Sequence, residues 1–235
     1  MGCIKVSVGC ARCYMYRMRK RLGMDPAIVV RSKTRFRHPQ ELRGPKKIFT
    51  CSLSDFFIDQ ADGWRDEAFE VIRSTPWHTY QILTKRPKRM LDCMKAMFMW
   101  LGPALYMERF GHVWLGVSVE NQAAAEERIP LLRLTPCALR FVSVEPMLSA
   151  VDLSRLLSGG SYKIGWVVVG GESGPGRRNM EMKWLVSIVS QCKAAGIPCF
   201  VKQDSCWQAG RQGRIPDEIW TLKEFPDVEP RAQGV

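Results

Sequence analysis

The stretch Val113-Trp114-Leu115-Gly116-Val117-Ser118-Val119-Glu120-Asn121 is apolar on both faces for most of its length and then turns abruptly polar. A strand wetted on one face would alternate, whereas a near-continuous Val, Leu and Trp run suits a strand buried on both sides of a parallel sheet. Five further runs read the same way, at residues 48–51, 80–84, 139–144, 164–169 and 199–201. Helical segments separate them, at 63–74, 87–101, 121–132, 151–157 and 182–195. Asn121 suits an N-cap, and Ala195-Gly196-Ile197-Pro198 ends the last segment with a glycine stop and a proline beyond it. Six strands alternating with helices imply right-handed crossovers and a parallel sheet. The expected fold class is α/β, a partial (β/α)6 barrel.

In that architecture ligands gather at the carboxyl ends of the strands. Those ends read Ser52-Leu53-Ser54-Asp55, Thr84-Lys85-Arg86, Ser118-Val119-Glu120-Asn121, Ser143-Val144-Glu145, Gly170-Gly171-Glu172-Ser173 and Lys202-Gln203-Asp204. Six polar ends aimed at one rim make a site. Glu120 and Glu145 follow buried strands, where an unpaired carboxylate is costly, so each needs a cation, a ligand or a hydrogen-bond donor. Lys202 is a candidate partner. Lys85 and Arg86, before Pro87, read equally well as ligand groups or as a helix start. The glycine-rich stretch 170–176 lacks the spacing of a dinucleotide fingerprint or a P-loop.

The chain has 235 residues, 46% hydrophobic and 25% charged, an ordinary globular composition that excludes a disordered or fibrous chain. No apolar run reaches the roughly 20 residues that span a bilayer. The nearest, 94–107, is broken by Lys95 and by Gly102-Pro103. Cys3 and Lys5 stand where a secretory signal would place its apolar stretch, so the expected location is the cytoplasm.

Charge is concentrated at one end. Residues 1–47 hold 13 Lys or Arg against two acids, a net +11, while the other 188 hold 22 against 21. Arg17, Arg19 and Lys20 form one dense stretch, and Arg31, Lys33, Arg35 and Arg37 a second. Such a patch attracts a phosphate backbone, and these seven residues are the candidate nucleic-acid contacts. The plain alternative is a solvated helix face followed by a basic loop.

Nine cysteines, an odd number, argue for reduced thiols rather than a disulfide framework. Six are scattered and read as small buried hydrophobes. Cys3, Cys10 and Cys13 stand apart, with gaps of six and two residues. The histidines, His38, His78 and His112, supply no fourth ligand at finger spacing. The spacing leaves open a four-iron cluster with one open iron, a zinc site, or no metal.

The cysteine stretch 3–14, Ser52-Leu53-Ser54-Asp55-Phe56-Phe57, Ile82-Leu83-Thr84-Lys85-Arg86-Pro87, the stretch 114–121, Arg140-Phe141-Val142-Ser143-Val144-Glu145-Pro146, the glycine-rich stretch 169–176 and Phe200-Val201-Lys202-Gln203 occur in that order. Together they resemble the phage-associated three-cysteine-motif family of uncharacterised proteins, itself similar to radical S-adenosylmethionine (SAM) enzymes. The resemblance runs from Cys3 to about Trp220. Most radical SAM enzymes space the first two cysteines by three residues, where this chain has six.

The resemblance implies a single radical-SAM-like domain over 1–235, with a basic cluster-binding segment at 1–47, β/α repeats at 48–204 and a C-terminal extension at 205–235. It implies a [4Fe-4S] cluster on Cys3, Cys10 and Cys13, and S-adenosyl-L-methionine held by Ser52, Ser54, Asp55, Ser118, Glu120, Ser143 and Glu172. Lys85, Glu145 and Lys202 would serve the reaction itself. The expected function is that of a radical SAM enzyme, in which a 5′-deoxyadenosyl radical modifies or rearranges a hypermodified base, such as a thymine side chain, in phage DNA. Its partners would be nucleic acid, DNA in that setting, and a reductant for the cluster. The rival expectation is a non-catalytic nucleic-acid-binding module with a zinc or structural iron–sulfur site.

Overall fold

The computed structural model describes residues 1–157 and 162–228. The last residues of the expected C-terminal extension, 229–235, lie outside the described residues. Six strands form one parallel sheet in the order β1-β2-β3-β4-β5-β6: β1 (Lys47–Thr50), β2 (Thr79–Thr84), β3 (Val113–Ser118), β4 (Leu139–Val144), β5 (Trp166–Gly170) and β6 (Cys199–Gln203). The sheet curls into an open half-barrel, and each apolar run read from the sequence is one of its strands.

The helices are α1 (Tyr14–Arg21), α2 (Asp62–Arg73), α3 (Pro87–Leu101), α4 (Pro103–Phe110), α5 (Gln122–Leu134), α6 (Ser154–Leu157), α7 (Met182–Ala195) and α8 (Asp217–Trp220). Asn121 caps α5 by accepting from Ala124 N–H at 2.9 Å. Gly196 closes α7 in the left-handed region, φ 62°, and Ile197 N–H returns to the Cys192 carbonyl at 2.9 Å, satisfying an orphan carbonyl of the last turn. The helix expected over 151–157 is shortened to α6, because Val151 and Leu153 are buried in extended backbone ahead of it. No helix among the described residues is long and apolar enough to cross a membrane.

Alternation along each strand divides the molecule into two packed layers. Outward-facing Ile82, Leu115, Val117, Val142, Val144, Val167, Val169 and Val201 pack with Phe69, Met90, Met94, Ile129, Leu132, Leu185 and Ile188 of the helices. The concave side is filled by Leu83, Trp114, Leu139, Phe141, Trp166, Val168 and Phe200. Trp114 and Trp166 meet edge to face at 5.9 Å. Gly116 makes room for the Phe141 ring, since a Cβ there would fall 2.5 Å from it. This aromatic plug fills the middle of the half-barrel, so open space remains toward the carboxyl ends of the strands.

The two free edges of the sheet differ. Past β6 the chain returns as a short antiparallel bridge, Phe200 to Lys223, and Val201 N–H reaches the Leu222 carbonyl at 2.9 Å. Phe225 then packs on Trp166 at 5.1 Å, and Lys47 of β1 sits 4.1 Å over the same ring. One aromatic side chain thereby links the first strand to the last.

Candidate functional site

Strand parity determines which side chains reach the open end. Below the rim, Phe49, Leu83, Phe141, Val168 and Phe200 face inward, and two residues further on come Cys51, Lys85, Ser143, Gly170 and Lys202. Above them is a cavity of about 580 Å³. Its lining includes Ser52, Ser54, Asp55, Lys85, Arg86, Ser118, Glu145, Glu172 and Lys202 from the sheet side. The opposite wall comes from the N-terminal segment, with Cys3, Ile4, Val6, Gly9, Cys10, Arg12, Cys13 and Tyr14. Most of the expected site residues therefore border one space. Ser143 and Glu120 are buried outside that lining.

The carboxylates are matched to cations. Glu145 takes Lys202 Nζ at 2.8 Å, the partnership anticipated from the strand ends. Lys202 is half exposed, so this pair can exchange its contact for a ligand. Glu120 is fully buried and shared by Lys85 Nζ at 3.2 Å and Arg128 Nη1 at 2.7 Å, and it also accepts from the Ser7 hydroxyl. Burial pushes the Glu120 carboxyl up, but Lys85, Ser7 and Arg128 outweigh it and hold the group below its ordinary value of 4.5. Asp55 is a structural hub that accepts from Phe57 N–H at 2.9 Å, Thr84 Oγ1 at 2.7 Å and Lys85 N–H at 3.0 Å, with Arg86 Nη1 at 3.1 Å. Glu172 is held by three bonds from Arg178: N–H at 2.9 Å, Nε at 3.0 Å and Nη2 at 2.6 Å. Burial raises that carboxyl too, and the Arg178 bonds bring it below the ordinary range.

The N-terminal segment is strapped over the rim by donors from the barrel. Arg86 reaches the Ile4 carbonyl at 2.9 Å, and Arg178 reaches the Val8 carbonyl at 2.9 Å. Ser54 Oγ donates to the Gly2 carbonyl at 2.6 Å, and the Tyr14 hydroxyl donates to the Ser52 carbonyl. Gly9 lies so close to the Glu120 carboxylate that a Cβ would collide with it. Arg12, Tyr14, Arg128 and Arg178 belong to this assembly and were not singled out as site residues by sequence reasoning, whereas Arg86 was read as either a ligand group or part of a helix start. The clue to Arg178 was its place directly after the glycine-rich loop.

The expected nucleic-acid contacts separate by environment. Arg19 is 4% exposed and donates to the Asp25 carbonyl at 3.1 Å. Arg17 donates to the carbonyls of Pro175 at 2.6 Å and Ser173 at 3.2 Å. Arg31 and Arg37 share Glu67 at 2.6 Å and 2.8 Å. Lys20, Lys33 and Arg35 are exposed.

The cluster expectation is corrected. Among the described residues no group of three or more His, Cys, Asp or Glu side chains is placed to hold a metal ion, and all nine cysteines are free. Cys3, Cys10 and Cys13 border the same cavity without converging on one point. A 3-10 turn over Val8–Cys10 separates Cys3 from Cys13, and α1 starts directly after Cys13. Cys3 Sγ lies 3.5 Å from the Ile4 carbonyl, and Cys10 Sγ lies 3.7 Å from Ser7 Oγ. Burial raises the Cys3 thiol above its ordinary value against the pull of Arg86.

The assignment of a [4Fe-4S] cluster or a zinc ion to these cysteines is therefore withdrawn. With it go bound S-adenosyl-L-methionine, the radical SAM enzyme, the isomerase or base-modifying reaction built on it, and the radical-SAM character of the half-barrel. The rival zinc or iron–sulfur module falls on the same donor placement.

No curated protein and no solved structure matches the chain. The resemblance to the three-cysteine, radical-SAM-like family is likewise replaced by what the whole-chain comparison finds. Over residues 1–227 the chain matches the model of the family described as protein of unknown function (DUF5131), and it belongs to that family.

Proposed function

We propose that this protein binds nucleic acid across the mouth of the strand-end cavity, using the N-terminal basic segment as the polyanion-facing wall. One observation carries the reading. The segment that holds nearly all of the chain's net charge, +11 of +12, is the segment that supplies one wall of the cavity. A phosphate backbone drawn to this segment would meet Arg12 at an opening large enough for a nucleotide unit, with hydroxyls at Ser52, Ser54 and Ser118 and a half-exposed aromatic ring at Tyr14, while the exposed Lys20, Lys33 and Arg35 would add attraction from outside the cavity lining. Basic side chains give such binding its strength and its salt dependence, and aromatic faces accept bases without sequence preference.

Fluorescence anisotropy with labelled single- and double-stranded oligonucleotides tests this. Affinity should fall steeply between about 50 and 200 mM salt. It should also fall in a Lys20→Ala, Lys33→Ala, Arg35→Ala triple variant. Binding that is absent, or indifferent to salt, overturns the reading.

A further inference from the structure

At the cavity rim, positive charge is balanced everywhere except in one place. Lys202 is matched by Glu145, and Arg86 by Asp55. At the turn that follows β5, four guanidiniums, of Arg12, Arg17, Arg177 and Arg178, meet one carboxylate, with Arg177 Nε donating to the Ser205 carbonyl at 2.7 Å. Arg178 pairs with Glu172 at 2.6 Å. Arg17 lies against Gly174, bonded only to the carbonyls of Ser173 and Pro175. Arg12, exposed and bordering the cavity, has Nη1 3.9 Å from where a Gly176 Cβ would stand. Carbonyl oxygens orient a guanidinium without cancelling its charge, so Arg17 is pre-organised and still cationic. Gly174 and Gly176 both take positive φ, 95° and 67°, and a side chain at Gly174 would displace the Arg17 guanidinium.

We infer that Arg12 and Arg17 form a phosphate seat on the 173–176 turn, and that the phosphate it takes belongs to a nucleotide whose sugar and base occupy the adjoining cavity. This deepens the nucleic-acid reading above and rests on it. Planar guanidiniums bind phosphate oxygens in pairs, with directed hydrogen bonds as well as charge, which a lysine cannot reproduce. The seat is at the entrance of the cavity, because Arg12 and Ser173 both border it. A phosphodiester held there would leave its attached nucleoside facing inward.

The experiment is calorimetric titration of the full chain with a 5′-mononucleotide, the matching nucleoside and inorganic phosphate. It is run alongside oligonucleotide anisotropy, on the native protein and on Arg12→Ala, Arg12→Lys and Lys33→Ala. Arg12 is exposed, so its replacement leaves the fold intact, as a melting curve verifies. The mononucleotide should bind at least about tenfold more tightly than the nucleoside, and Arg12→Ala should remove most of that advantage, with Arg12→Lys intermediate. Lys33→Ala should leave mononucleotide binding unchanged while weakening the oligonucleotide.

Oligonucleotide binding that persists while Arg12→Ala changes no affinity overturns the seat and spares the nucleic-acid reading. Mononucleotide binding that depends on Arg12, without any oligonucleotide binding, overturns the nucleic-acid reading and spares the seat. Inorganic phosphate binding as tightly as the mononucleotide overturns the nucleotide assignment and makes the site one for free phosphate.

Discussion

The two basic stretches of the N-terminal segment are alike in sequence and opposite in use. Residues 12–21 start in the cavity wall, which Arg12 to Met15 line, and continue into the body of the molecule: Arg17 is held by backbone carbonyls of the turn after β5, and Arg19 is buried on the Asp25 carbonyl. Residues 31–37 lie against α2 instead, where Glu67 binds both Arg31 and Arg37 and Arg31 stacks 4.1 Å over Phe36. The same side chain serves as a charged wall in one stretch and as a neutralised clamp in the other. What decides is the acceptor, since a carbonyl leaves the cation's charge in place and a carboxylate removes it.

The sharpest way to break the first arrangement is to remove the anchor under it. Glu120→Ala deprives Ser7 of its carboxylate partner and removes the close counter-charge of Lys85 and of buried Arg128, whose other carboxylate, Glu127, lies 3.9 Å away. A loss of about 3–5 kcal/mol is expected, on the order of 10 °C in melting temperature. Thermal unfolding checks this, and a stability close to native would show that Glu120 anchors nothing.

Acid should reproduce part of that loss. Glu120 and Glu172 are held below their ordinary 4.5, and Asp204, bonded to Arg214, below its ordinary 3.8. A carboxyl whose folded-state value is depressed stabilises the fold fully above its unfolded value. That contribution disappears as pH falls through the folded one. Stability should therefore be flat above about pH 5 and decline below it. Glu120→Ala should show a shallower decline, measured by urea unfolding between neutral pH and about pH 3. Equal slopes in the two proteins would contradict the assignment.

Smaller effects separate the two stretches directly. Arg17→Ala removes two charge-assisted bonds and should cost about 1–3 kcal/mol, whereas Arg31→Ala, at an exposed pair, should cost under about 1 kcal/mol. Equal costs would erase the contrast between wall and clamp. The smallest effect expected is from Glu67→Gln. It releases Arg31 and Arg37 from their shared carboxylate, so oligonucleotide affinity should rise a few-fold with no change in melting temperature. An unchanged affinity would mean that the second stretch lies away from the nucleic acid.

The six strands were legible because burial on both faces leaves a continuous apolar run, and the polar rim because it follows each run at once. Lys202 could be offered in advance as a partner for Glu120 or Glu145, and Glu145 is the one that takes it, while Glu120 goes to Lys85 and Arg128. Local spacing carried less. Cys3, Cys10 and Cys13 share a cavity yet form no metal-holding group among the described residues, an outcome that the count of residues between them does not fix. Arg12 was not chosen as a site residue because it meets the turn at 173–176, more than a hundred positions away, and Arg178 because its hold on Val8 lies 170 positions back, although its Glu172 partner is only six positions away. The helix α4 was missed because Gly102-Pro103 reads as a break, while here it ends α3 and starts the next helix, with Pro103 in its first turn.

The strapping of the N-terminal segment bears on how the molecule is made. Ser7 finds its partner 113 positions later, Arg17 reaches a carbonyl 158 positions later, and Val8 accepts from a donor 170 positions later. During synthesis this segment emerges well before the partners that engage it. The most basic part of the chain must wait, solvated and self-repelling, until β3 and then the turn after β5 have emerged. Completion of the cavity thus reports that nearly the whole sheet has assembled, and a chain halted before Arg178 would carry its charge without the chamber that gives it a use.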